Sequence, residues 1–161
     1  MSAGPVRPVW STSLRGGRAI GMGSVEEFTT ASFSKFLEEH KLMGSRCRAC
    51  GRLYLPPRPL CPECQSEEME WVELSGRGRL LAFTTVHVAP TAMIAAGYGR
   101  ENPYCVGLVR LEEGPTIGAQ ILGVDPKRPE GIKIGTPLKA SFLERGEGKF
   151  RRTYLAFQTE V

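Results

Sequence analysis

The 161-residue chain has only two histidines, and neither stands in a catalytic pattern. His40 falls on an apolar helical stripe. His87 closes an extended apolar segment, where a single histidine is more often a structural or surface group than a base. No G-x-S-x-G elbow, no phosphate-cradling glycine loop and no paired-carboxylate pattern occurs. These absences weigh against an independent enzyme. An apolar run long enough to span a bilayer is also lacking. The N-terminus carries Arg7, Arg15 and Arg18 but no hydrophobic centre for a secretory signal. The expectation is a cytoplasmic protein with no membrane segment. Aromatic residues are scarce at 8%, and the net charge is only +4, too mild and too dispersed for a dedicated duplex-DNA binder.

What is present suits a packed domain. Apolar residues make up 41% and charged residues 24%, enough for a core and too few charges for a disordered polyelectrolyte. Residues 1–23 are rich in Gly, Ser, Pro and Arg without sustained periodicity, and read as a flexible tail. A helix is predicted from Ser32, as its N-cap, to Met43, stopped by Gly44. Phe33, Phe36, Leu37, His40 and Met43 recur there at three- and four-residue steps. That apolar face needs a cover, either the following domain or another chain.

Beyond residue 70 the chain turns to β character. Strands are predicted at Trp71–Leu74, Gly78–Val88, Tyr104–Leu111, Thr116–Val124, Leu138–Leu143 and Tyr154–Val161, with no second helix. Five or six short strands with frequent glycine turns point to a small closed barrel of the OB-fold type, since a sandwich needs more strands. Two irregular linkers stand out. Ala89–Pro103 is long for a hairpin loop, and loops of that length tend to be functional or mobile. The other is Gly146–Arg152, GEGKFRR.

The strongest motif is CRACGRLYLPPRPLCPEC, Cys47 to Cys64. Each C-x2-C turn places two thiolates on one side of a tight loop, and two facing turns complete a tetrahedron around Zn(II). Gly51 and Pro62 are turn residues in the right places. A reducing compartment favours metal ligation by Cys47, Cys50, Cys61 and Cys64. Two disulfides or a redox pair compete with that reading, and an iron–sulfur centre is a remote third. With all four positions filled by protein, the ion is expected to fold the knuckle and not to catalyse. Arg46, Arg48, Arg52 and Arg58 crowd this loop, while five glutamates follow between Glu63 and Glu73. The arginines either balance the negative tetrathiolate or recognise phosphate. Cys105, in the YCVGLVRL strand, reads as an inert core residue, and the alternative is a nucleophile.

Linked motifs carry a family resemblance over about Phe33 to Phe142. They are Cys47-x2-Cys50-Gly51, Pro56-Pro57-Arg58, Cys61-Pro62-x-Cys64, Trp71, Ser75-Gly76-x-Gly78 and Thr84-Thr85-Val86. Pro103-Tyr104, Val109-x-Leu111-x-Glu113-Gly114 and Ile134-Gly135 complete the set. Together they resemble the bacterial and archaeal zinc-ribbon plus OB-fold family first catalogued as a domain of unknown function. The resemblance implies a mainly β chain with a small α part: an N-terminal helix, a rubredoxin-like zinc ribbon and a five- to six-stranded OB-fold barrel. The helix and ribbon are expected at 24–73 and the barrel at 74–161. It implies a structural Zn(II) on the four cysteines and a non-catalytic accessory subunit of an acyl-CoA-processing complex. The partner would be thiolase-like, acting in carbon–carbon bond cleavage or formation, or else a hydratase, an aldolase or hydroxymethylglutaryl-CoA synthase. The helix and ribbon would dock on that partner. Coenzyme A thioester would be the ligand, its phosphates meeting Arg46, Arg48, Arg52 and Arg58. The long basic tail and the extra residues at 89–103 depart from the family pattern. An alternative is a single-stranded nucleic-acid module using Phe83, Tyr104, Phe150 and Tyr154 beside Arg79, Arg151 and Arg152. A redox or thiol enzyme is a weaker third.

Overall fold

The computed structural model describes residues 27–160. The expected tail, residues 1–23, and the end of the last strand at Val161 lie outside them. Helix α1 spans Thr30–Glu38, shorter than expected. Thr29, not Ser32, is the N-cap: its hydroxyl accepts the Ser32 N–H at 3.2 Å. The stripe does not run on to Met43. His40 takes a positive φ of 57°, which ends the helix, and Met43 opens a strand. The periodicity therefore carried past the point where the backbone reverses.

Strands β1 (Met43–Cys47), β2 (Leu53–Tyr54) and β3 (Met69–Glu73) form an antiparallel sheet in the order β2-β1-β3. This sheet is the body of the ribbon. Strands β4 (Arg77–Val86), β5 (Tyr104–Leu111), β6 (Thr116–Leu122), β7 (Pro137–Arg145) and β8 (Arg152–Thr159) form a closed barrel in the order β4-β5-β6-β8-β7. The ring depends on two pairings that join non-consecutive strands. β6 runs parallel to β8, and β7 returns to β4 through the Arg77–Lys139 and Arg79–Pro137 registers. Closure removes the sheet edges and is the OB-type solution for five strands. Strand alternation fills the interior with Leu80, Val109, Leu138 and Phe157, all fully buried. A second helix, α2 (Thr91–Ala95), lies within the long linker where none was expected. It is five residues long and opens after Pro90, too short to show a periodicity.

Helix α1 is the wedge between the two parts. Leu37 is buried in one continuous core cluster with Leu42, Leu55 and Leu74 of the ribbon side and Leu80, Val109 and Phe157 of the barrel. Phe33 packs against the same cluster. Trp71 of β3 stacks on Phe28 at 4.6 Å and meets Phe36 at 4.9 Å, while His40 stacks on Phe142 of β7 at 5.2 Å. The helix therefore has an intramolecular cover. Burying a leucine such as Leu37 stabilises by about 1.5–3 kcal/mol. Gly76, at φ 73°, links ribbon to barrel, and a Cβ there would stand 2.8 Å from the Ala140 methyl. A side chain at this joint would push β7 away.

Candidate metal centre

Both C-x2-C turns are closed by the backbone. The Gly51 N–H donates to the Cys47 carbonyl at 2.8 Å, and the Gln65 N–H donates to the Cys61 carbonyl at 2.9 Å. The residue after each second cysteine is left-handed, Gly51 at φ 77° and Gln65 at φ 58°. Glycine adopts this conformation freely, whereas glutamine does so against a steric penalty.

The turns face one another. Cys47 and Cys64 Sγ lie 3.5 Å apart, Cys50 and Cys61 Sγ likewise 3.5 Å, and all four sulfurs fall within 4.8 Å of one another. Four thiolates about 2.3 Å from a tetrahedral Zn(II) stand about 3.8 Å from each other. The donor set thus fits the ion with only small adjustments. No two of these sulfurs approach the roughly 2.05 Å of a disulfide, and all five cysteines are free.

Polar groups prepare the thiolates. The Cys50 N–H, aimed at Cys47, lowers the Cys47 pKa. The Tyr54 hydroxyl lies 3.3 Å from Cys61 Sγ and brings that thiol down to about 6, while its own pKa rises to about 12. Cys64 moves the other way. The Ser66 N–H opposes the shift, but the neighbouring Cys47 thiol and burial push Cys64 up to about 12. Cys47 and Cys61 are thus shifted toward the thiolate, and Cys50 and Cys64 away from it. A bound divalent cation favours the thiolate at all four. Tyr54 is a functional residue that no spacing rule selects, because its role depends on the β1–β2 pairing. Replacing Tyr54 with phenylalanine is expected to weaken zinc affinity about tenfold or more. Competition with a chelator reads that change directly, and an unchanged titration would remove Tyr54 from the site.

The arginines are placed less uniformly. Arg46 and Glu70 are cross-strand partners in the β1–β3 register, joined at 2.6–2.8 Å. Arg48 reaches the other oxygen of Glu70 at 3.1 Å. Hydrogen bonds from Arg46 and then Arg48 hold the Glu70 carboxyl below its ordinary range. Arg52 pairs with Glu63 at 3.4 Å. The basic and acidic flanks of the sequence are therefore partners of each other. Arg58 alone of the four makes no ion pair among the described residues. Its N–H donates to the buried Ser45 hydroxyl at 2.8 Å.

The aromatic set does not assemble on one face. Phe83 packs against the core, and Tyr104 is buried beneath Tyr98 at 5.2 Å. Phe150 and Tyr154 stay outside, near Lys149, Arg151 and Arg152. Arg151 pairs with Glu144. Lys149, Arg152 and Tyr154 line a cleft of about 510 Å³ between α1 and β8, with Phe33 and Leu37 on the other wall. The long linker is clamped by Arg145. Its guanidinium lies over the Tyr98 and Tyr154 rings at 5.7 and 5.2 Å, donates to Gln120 and reaches the Met93 sulfur at 3.2 Å. Cys105 is fully buried, and desolvation raises its pKa, as befits a core thiol. His87 is exposed in the bend just past β4.

The model of the ChsH2 rubredoxin-like zinc ribbon domain matches residues 34–70, and that of the ChsH2 C-terminal OB-fold domain matches residues 71–143. A DUF35 domain-containing scaffold protein of Methanocaldococcus jannaschii is 36% identical over 118 residues, 73% of this chain and 78% of that protein. The benzoylsuccinyl-CoA thiolase subunit BbsA of Thauera aromatica is 38% identical over 82 residues, about half of each chain (51% and 52%). Among solved structures, a chain of the Ltp2-ChsH2(DUF35) aldolase superposes with a TM-score of 0.67 at 29% identity, covering 90% of this chain and 100% of that one.

Proposed function

Because the chain belongs to the DUF35 family of zinc-ribbon and OB-fold proteins, we propose that it is a non-catalytic accessory subunit of a CoA-thioester enzyme. Its companion is a thiolase-like or aldolase-type subunit that supplies the nucleophile and base for making or breaking a carbon–carbon bond. The observation that carries this reading is the superposition of a complete DUF35 chain from an aldolase assembly over 90% of this protein.

Cys47, Cys50, Cys61 and Cys64 hold one Zn(II), whose chemistry is structural because protein thiolates occupy all four positions. The ribbon at 24–73 and the barrel at 74–161 act as one scaffold, since α1 and a shared core join them. Arg58 is the ribbon arginine assigned to the CoA phosphates, because Arg46, Arg48 and Arg52 are already engaged by Glu70 and Glu63. CoA binding is then divided between two chains, so each alone binds weakly.

Co-expression with candidate thiolase-like and aldolase-type subunits is the test. A stoichiometric complex is expected from at least one of them. If none co-purifies or gains activity, the reading fails. Within such a complex, Arg58→Glu is expected to weaken CoA-ester binding about tenfold or more while zinc stays bound. Unchanged affinity would return Arg58 to the surface.

A further inference from the structure

The apolar stripe of α1 packs on the shared core, with Phe33 and Leu37 also lining the cleft beside β8, and any further docking surface lies outside it. The outer wall of the barrel offers one. Alternation in β4, β5 and β7 turns Leu80, Val109 and Leu138 inward and Arg77, Arg79, Arg110 and Lys139 outward. The register then sets like against like: Arg79 is opposite Arg110, and Arg77 is opposite Lys139. Like charges directly across a ladder destabilise a sheet. None of these four cations forms an ion pair among the described residues. The Arg79 guanidinium makes one bond, to the Gly135 carbonyl at 3.1 Å. Glu112, whose N–H bonds the Arg77 carbonyl, stands at the margin of the group.

Beside the cations the wall is apolar. Leu108 is 48% exposed and Leu81 37% exposed. The register places Leu108 between Ala82 and Gly118, both exposed, and the Leu108 side chain lies over Gly118. Outward leucines on a strip of small residues, edged by arginines, have the make-up of a protein interface. Phe83 lines the groove with Ala82, Leu108 and Gly118 but packs against the core, and no aromatic residue occurs among 77–82, 108–110, 116–118 and 137–139, so the strip presents no exposed ring on which bases would stack.

We propose that this β4–β5–β6 wall, with its Arg77, Arg79, Arg110 and Lys139 edge, is the face that docks an acidic protein surface. Carboxylates of the occupant relieve the Arg79–Arg110 repulsion, and its apolar centre covers Leu108 and Leu81. The accessory-subunit reading supplies the identity of that occupant, a companion enzyme subunit, but the wall is testable without it.

The probe is poly-L-glutamate, titrated against the full chain at low salt. The wild type is expected to bind, and to bind more weakly as salt is raised. Arg79→Glu/Arg110→Glu is expected to lower affinity about tenfold or more, while Lys149→Glu/Arg152→Glu, in the other cationic cluster, changes it less than about threefold. Arg79→Gln/Arg110→Gln guards against misfolding: it is expected to weaken binding with a melting temperature equal to or above that of the wild type. No binding by the wild type overturns the assignment, as does a loss confined to the Lys149/Arg152 variant. Tighter binding of an oligothymidylate, lost in the Arg79/Arg110 variant, overturns it in favour of nucleic acid. A failure to co-purify a companion would instead count against the accessory reading and leave the wall's result intact.

Discussion

Cys47→Ser is expected to release the metal and open the ribbon. Structural zinc contributes about 10–16 kcal/mol of apparent binding free energy in small zinc-finger peptides near neutral pH. A serine hydroxyl does not ionise in this range, and the substitution also removes the sulfur that faces Cys64 at 3.5 Å. Beyond the β1–β3 ladder, the knuckle has little of its own to hold it, since β2 is two residues long. Metal analysis is expected to fall from one zinc per chain to a small fraction. Amide exchange is expected to quicken across 43–73 and far less across the β4–β8 barrel. Retention of a full zinc equivalent, with an unaltered exchange pattern, would mean that the four sulfurs are not the ligands.

The second large effect lies in the barrel. Phe157 is fully buried on β8, opposite Ile121 of the parallel β6 and Ala140 of β7. Phe157→Ala removes a side chain where β8 pairs with both β6 and β7. Deleting a buried phenylalanine costs about 3–5 kcal/mol, according to how far the site collapses. The melting temperature is therefore expected to fall by on the order of 10 °C. Because Phe157 shares a cluster with Leu37, α1 is expected to loosen with the barrel, whereas zinc stays bound. A loss below about 1 kcal/mol would show that the barrel is not packed around this residue.

The sequence shows its structure unevenly, for physical reasons. The four-cysteine cluster was legible because C-x2-C spacing is a local geometric rule, satisfied within each turn. The barrel strands were legible because long alternating segments such as Tyr104–Leu111 carry their own period, and that strand has the bounds expected. The helix was overextended because His40 and Met43 continue a three–four spacing past the left-handed residue that ends it. β1 escaped notice because it holds glycine, serine and arginine where alternation needs apolar residues, and β2 because it is only two residues long. The pairing of Arg46 with Glu70 depends on strand register, which is not written in local sequence. The same is true of barrel closure, of the Tyr54–Cys61 contact and of the like-charged row on the outer wall. Both charge flanks of the ribbon were visible, but their partnership was not.

A scaffold that takes its reactivity from another polypeptide has a plain kinetic signature. The deciding measurement is acyl-CoA turnover by the zinc-loaded chain alone, by a companion thiolase-like or aldolase-type subunit alone, and by the two together. The expected result is no turnover by this chain, little by its companion, and a clear gain when they are combined. Turnover by this chain unaided, or a companion whose rate is indifferent to it, would contradict the account.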